Sequence, residues 1–270
     1  DAQHEFRPGL EFDVAALQAH LARELPQFAG PLTVRQFPGG QSNPTYLLTT
    51  PVRKYVLRRR PPGNLLPSAH AIEREFRVMR ALNERSSVPV AQPLLLCEDA
   101  SVIGTGFYVM QHVEGRIFWD PTLPELPCAQ RAPHFDAMND VIARLHAVDP
   151  QSVGLADFGR AEGYVARQFS RWSKQYLSDE QAGRNPDLDR LIAWLPRHLP
   201  KAEPPPAVVH GDFRIDNLIF HPTEPRVLAI MDWELSPIGD PLADFASHLM
   251  MYRISTASLP GLRGRDVMEL

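Results

Sequence analysis

At 270 residues the chain is long enough to bury a large core, as one large or two closely packed lobes, and its composition is ordinary for a globular enzyme. A formal net charge of -4 argues against a nucleic-acid partner, which needs a clustered basic excess, and the run Arg58, Arg59, Arg60 is too short to change that. Two cysteines, Cys97 and Cys128, imply no disulfide framework and fit a reducing compartment; with no leader pattern and no apolar run near the ~20 residues of a bilayer span, a cytoplasmic chain without a membrane partner is expected.

Val14, Leu17, Leu21 and Leu25 fall at helical spacing, with Asp13 as N-cap and Pro26 as stop, and predict an opening helix. Three short β-type runs follow at 32–37, 44–50 and 54–60, separated by GGQSN and a Pro-Val-Arg link, as antiparallel strands would be. Ser68 can cap a helix carrying Ile72, Phe76, Met79 and Leu82, and strands at 93–99 and 106–112 complete a small lobe. Beyond it the pattern turns helical: Phe135, Met138, Ile142 and Leu145, then Val165, Phe169, Trp172 and Tyr176, then Leu188, Ile192 and Leu195. Short strands return at 208–210, 217–220 and 227–231. Prolines concentrate in PPGNLLP, WDPTLPELP and EPPPAVV, which read as loops. The expected fold is α+β and two-lobed: a small five-stranded antiparallel sheet lobe over residues 1–111 and a larger, mainly helical lobe over 112–270.

The chemistry is concentrated in HGDFRIDN, His210 to Asn217, and in the apolar run VLAIM that ends at Asp232 and Trp233. Moving the γ-phosphoryl group of ATP takes one carboxylate near the acceptor hydroxyl and oxygen ligands that hold magnesium against the phosphates. Asp212, Arg214 and Asn217 have the spacing of the protein-kinase catalytic loop, with Asp212 as the base, Arg214 neutralising charge on the transferred group and Asn217 as metal ligand. A second metal carboxylate should follow a short buried strand, and Asp232 does. The implied cofactors are ATP and Mg2+. A literal DFG at Asp157, Phe158 and Gly159 precedes the loop instead of following it, in a polar link, and reads as a turn or helix cap.

With Gly211 where protein kinases carry arginine, with DWE at Asp232 to Glu234, and with GDPLADFA at Gly239 to Ala246, the chain resembles the aminoglycoside phosphotransferase and choline-kinase-like group. RRRPPGNLLPSAHAIEREF and HPTEPRVLAIMDWELSPIGDPLAD are most similar to the kinase-like module found alone in bacteria or fused ahead of acyl-CoA dehydrogenase domains. The resemblance covers most of the chain. It implies a protein-kinase-like fold, Asp244 bracing the catalytic loop through its backbone amides, and a small-molecule hydroxyl acceptor, such as a hydroxyacyl thioester or other hydroxy metabolite.

A kinase small lobe also needs a strand cation for the α- and β-phosphates and a helix carboxylate to hold it. Side chains at 54, 56, 58 and 60 share one strand face, so Val56 could line the adenine pocket while Arg58 reaches the phosphates; a register slip would substitute Leu57 and Arg59. Of the two helix carboxylates, Glu75 is preferred to Glu73. FPGGQSN, Phe37 to Asn43, stands where a phosphate-covering loop belongs, with Gly39, Gly40 and Ser42 near the oxygens, although such a run by itself is more often a hairpin turn. Main-chain groups around Met110 to His112 would meet the adenine edge. Glu234 is open between a metal role and a scaffold role, and His210 and His146 are read as structural.

Rival chemistries fail on particular residues. His112-Val113-Glu114 with Pro127-Cys128 begins a zinc-deaminase signature, but Arg131 stands where the second thiolate is required. There is no G-x-S-x-G, H-E-x-x-H or Walker-type motif. The alternative of another class is a catalytically inactive nucleotide-binding regulatory module, which has no physical need for the base and both metal ligands together. An aminoglycoside, a polycation, would favour clustered carboxylates, yet the segment after Asp244 carries only Asp266 and Glu269. Helices that complete an acceptor pocket are expected to be missing, since 26 residues follow Asp244.

Overall fold

The computed structural model describes residues 5–38, 43–63, 71–160, 162–181 and 183–250. Gly39, Gly40, Ser42, Ser68, Asp266 and Glu269 lie outside the described residues.

The small lobe opens with α1 (Val14–Glu24), whose Asp13 side chain accepts from the Ala16 amide at 3.0 Å and so satisfies a first-turn donor. Leu17 and Leu21 of α1 are fully buried, each contributing about 1.5–3 kcal/mol of apolar transfer. Five strands follow: β1 (Thr33–Gln36), β2 (Thr45–Thr49), β3 (Lys54–Arg59), β4 (Pro93–Cys97) and β5 (Phe107–Gln111). They form one antiparallel sheet in the order β1-β2-β3-β5-β4, with α2 (Ile72–Arg85) crossing between β3 and β4. Strand alternation sorts the side chains to two cores. Tyr55 and Leu57 of β3 and Phe107 and Val109 of β5 join α1 in one. Tyr108 of β5 joins α2, through Phe76, Val78, Met79 and Leu82, in the other.

That second core runs on into the large lobe, where Met138, Val141, Ile142 and Leu145 of α3 (Cys128–His146) pack with Phe213, Trp233 and Ile238. By packing, α2 therefore belongs as much to the large lobe as to the sheet. α3 starts seven residues before Phe135, the first residue of the predicted stripe, and contains Pro133. The helices α4 (Tyr164–Ser178) and α5 (Pro186–Trp194) follow. Two small antiparallel pairs then carry the polar loops: β6 (Ala207–Val208) with β9 (Ile238–Gly239), and β7 (Leu218–Phe220) with β8 (Val227–Ile230). β9 was not predicted, and the expected strand at 208–210 is confined to β6 because the next residues turn into the loop. α6 (Pro241–Met250) completes the described chain. Among the described residues, no helix is long and apolar enough to cross a membrane.

The segment leaving β5 is stapled to the large lobe. Arg116 and Phe220 exchange both main-chain hydrogen bonds at 2.8 Å, and the Arg116 Nε donates to the His221 carbonyl at 3.0 Å. Gly115 is required beside them, because a Cβ there would run into the Phe220 carbonyl oxygen.

Candidate active site

The loop from Val209 to Asn217 is held at its base by α6. Asp244, buried, accepts from the His210 amide at 2.8 Å and the Gly211 amide at 2.9 Å, and from His146 Nε2 at 3.0 Å. Burial pushes its carboxyl up, but the His146 and backbone donors outweigh that and hold it below the usual carboxylate value. Gly211 has φ +85°, and a Cβ there would lie 2.7 Å from the Leu235 carbonyl oxygen. Both the left-handed backbone and the close approach call for glycine at this position.

His210 is buried between the two loops. Its Nε2 donates to the Met231 carbonyl at 2.7 Å and its Nδ1 accepts from the Asp212 amide at 3.3 Å, an arrangement that fits the neutral ring. Asn217 turns its amide nitrogen onto Asp212, 2.9 Å from the carbonyl oxygen and 3.3 Å from Oδ2, which fixes the carboxylate and leaves Asn217 Oδ1 as the atom able to ligate a cation. The Met231 amide donates to the Asn217 carbonyl at 2.8 Å, and Leu218 pairs with Ile230. This register brings Asn217 and Asp232 to the same end of the β7–β8 ladder. Asp232 has φ +61°, a left-handed conformation that aspartate tolerates better than most residues, and begins a single 3-10 turn anchored by the buried Trp233 indole on the Ile230 carbonyl at 3.1 Å.

From the sheet side, Arg58 of β3 enters the same cleft. Its Nη2 lies 2.6 Å from Asp232 Oδ1 and 3.2 Å from Glu234 Oε2, while its Nε sits 3.1 Å from Glu75 Oε2, out of line for a hydrogen bond. Glu75 is fully buried on α2 and accepts from Asn43 Nδ2 at 2.8 Å and the Tyr108 hydroxyl at 2.9 Å. Burial raises the Glu75 carboxyl to about 7, against the pull of Arg58 and Tyr108. Burial lowers the Arg58 guanidinium, and Glu75, Tyr108, Asp232 and Glu234 together raise it above its ordinary value.

The alternatives lie elsewhere. Arg59 projects to the opposite sheet face, donating to the Ile103 carbonyl at 3.1 Å and the Leu10 carbonyl at 2.9 Å. Glu73 pairs with Arg60 at 2.6 Å on the rim. Arg214 is half-exposed and held by Asp216 at 2.6 Å. Met110 stands opposite Val56 across the β3–β5 pair, and His112 follows the end of β5, its imidazole lowered by burial and by Lys54. Asp157 pairs with Arg77 at the surface, and the DFG segment is a turn.

Asn43 and Tyr108, the two side chains that fix Glu75, were not among the predicted site residues. Asn43 closes the glycine-containing run ahead of β2, and Tyr108 shares a strand face with Met110, but the two are brought to Glu75 only once β2 and β5 flank β3 and α2 packs over the sheet. Among the described residues no group of three or more His, Cys, Asp or Glu side chains has metal-holding geometry. One amide oxygen and one carboxylate suit magnesium, which keeps water and phosphate oxygens as its remaining ligands.

This fold and this pair of loops define a phosphotransferase with a protein-kinase-like architecture. The chain belongs to the phosphotransferase enzyme family, whose model matches residues 33–265. It is 47% identical to a Ralstonia eutropha protein of known crystal structure, provisionally described as an aminoglycoside phosphotransferase, with a TM-score of 0.83 over 96% of this chain and 75% of that one. Aminoglycoside phosphotransferase APH(4)-Ia, solved with ADP and hygromycin B, shares the fold at a TM-score of 0.61 and 15% identity, over 88% of this chain and 77% of that one. Mouse acyl-CoA dehydrogenase family member 10 is 49% identical over 89% of this chain and 22% of its own length. Human acyl-CoA dehydrogenase family member 11 is 45% identical over 92% and 32%. The chain thus spans about a third or less of the length of the curated relatives it matches.

Proposed function

We propose that the chain is an ATP-dependent phosphotransferase that moves the γ-phosphoryl group to a hydroxyl of a small molecule, with residues 1–111 holding the nucleotide and 112–270 presenting the catalytic and metal-binding loops. The observation that carries this reading is the span of Arg58 from Glu75 to Asp232, a cation held between a small-lobe helix and the carboxylate that follows β8. A half-buried cation with that placement is suited to neutralise the α- and β-phosphates.

In this reading the Asp212 carboxylate, oriented by the Asn217 amide, accepts the proton of the acceptor hydroxyl as that oxygen bonds to the γ-phosphorus. The bond from the γ-phosphorus to the bridging oxygen breaks, and ADP leaves with that electron pair. Asn217 and Asp232 would hold magnesium, which when bound supplies charge neutralisation at the phosphates. Arg214 stabilises charge on the transferred group after leaving Asp216, Gly39, Gly40 and Ser42 cover the phosphates with backbone and hydroxyl donors, and main-chain groups from Met110 to His112 meet the adenine. The acceptor class best supported is a hydroxyacyl thioester or related hydroxy metabolite, because the relatives of 45–49% identity are acyl-CoA dehydrogenase family members, whereas the likeness to APH(4)-Ia concerns the fold alone.

The test is ADP release from MgATP against hydroxyacyl thioesters, choline-like alcohols, sugars and aminoglycosides, with Asp212→Asn as control. Acceptor-dependent release lost in the variant supports the reading. Undiminished release in the variant removes Asp212 from the mechanism.

A further inference from the structure

The turn Asp157-Phe158-Gly159 has no part in the proposed chemistry, yet it grips the helix that carries Glu75. Arg74, the neighbour of Glu75 on α2, donates through Nη2 to the Phe158 carbonyl at 3.0 Å, with its guanidinium 4.1 Å from the centroid of the Phe158 ring. Arg77, one turn on, pairs with Asp157, donates to the Gly154 carbonyl at 3.3 Å and lies 5.6 Å from the same ring. Phe158 itself is buried and shares a core with Phe76 and Met79 of α2 and with Trp233 and Ile238, which flank the segment after β8. A backbone nitrogen close to Gly159 belongs to Ile238 of β9, so the turn is seated directly on the catalytic framework.

An exposed Arg–Asp pair alone is worth little, and Arg77–Asp157 is such a pair. The Arg74 contact is different, because its guanidinium both stacks closely on the buried Phe158 ring and satisfies the Phe158 carbonyl. We propose that Arg74 and Arg77 are positioning residues that latch α2 to the 154–159 turn of the large lobe, and so fix Glu75 relative to Arg58 and Asp232. Its consequence for nucleotide binding rests on the reading of Arg58 and Glu75 as the phosphate-site pair; the latch itself does not. Glu75 is tied to the sheet by Asn43 and Tyr108, and the two arginines supply the matching tie on the other side. With both in place, the Arg58–Glu75–Asp232 arrangement is set before nucleotide arrives, and less binding energy is used to organise it.

The experiment compares the wild type with the Arg74→Ala/Arg77→Ala double variant and with Arg74→Lys, using amide hydrogen exchange without nucleotide and calorimetric titration with MgADP. The expected result is exchange at least about fivefold faster in the first two turns of α2, with α3 unchanged and a near-constant unfolding midpoint. Affinity for MgADP should fall about fivefold in the double variant and less in Arg74→Lys, which keeps the charge but not the planar stack. Unchanged α2 exchange, or acceleration spread evenly over both lobes, overturns the latch. A wild type that binds no MgADP defeats the nucleotide-site reading, while the exchange comparison still decides the latch.

Discussion

Arg58 and Asp232, 174 positions apart in the chain, meet at 2.6 Å across the cleft between the sheet and the β7–β8 pair. The same guanidinium faces Glu75, so one side chain couples the small-lobe strand, the α2 helix and the segment after β8. Removing it leaves a buried carboxylate without its cation. Arg58→Ala should destabilise the protein by about 3–5 kcal/mol in denaturant unfolding, the cost of breaking a buried pair on one side. Arg58→Lys should fold more nearly normally yet bind MgATP about tenfold more weakly, since an ammonium cannot reach three carboxylates as a fork does. Calorimetric titration of the lysine variant checks the second half.

Asp212→Asn should reduce turnover by roughly 10²-fold or more while nucleotide affinity and unfolding midpoint stay close to the wild type. The carboxylate makes no buried ion pair among the contacts seen, so its loss should register in chemistry and not in folding. Single-turnover kinetics with saturating MgATP separate the two.

Gly211→Ala should cost about 1–2 kcal/mol for the left-handed backbone, and more because the Leu235 carbonyl oxygen at 2.7 Å is main chain and cannot swing aside. Turnover should fall with it, since the displaced loop carries Asp212. Thermal unfolding together with the activity ratio tests this; an alanine variant of wild-type stability contradicts the packing argument.

The acid limb of stability should depend on Asp244. Its folded carboxyl lies below the ordinary value of 3.8, so the unfolded chain binds the proton more readily. The stabilisation it contributes is therefore fully present above that value and is lost as pH falls from about 3.8 through the lower folded value. Asp244→Asn should flatten this limb and cost about 3 kcal/mol at neutral pH, because an amide cannot accept at both oxygens from the His210 and Gly211 amides and from His146. Denaturant midpoints measured from pH 2 to pH 7 read both effects.

The two-lobed architecture was legible because its signals are local. Alternation in KYVLRRR separates Arg58 from Arg59 by face, and the structure gives Arg58 to the cleft and Arg59 to the Leu10 and Ile103 carbonyls. The spacing from Asp212 to Asn217 is local in the same sense, since one loop carries both. Asn43 and Tyr108 were missed because they meet Glu75 only after β2 and β5 pair on either side of β3 and α2 packs over that face, which no window of sequence contains. The true start of α3 was hidden by its first turns, CAQRAPH, where a proline and polar residues mask the apolar period that becomes plain from Phe135.

The staple between Arg116 and Phe220 has a mechanical consequence. With Gly115 pressed on the Phe220 carbonyl and Gln111 ending β5, the chain between β5 and the staple is reduced to residues 112–114. So short an arm leaves little slack at the root of the cleft, so the main chain from Met110 to His112 should keep its place relative to the β7–β8 pair whatever moves at the open edge.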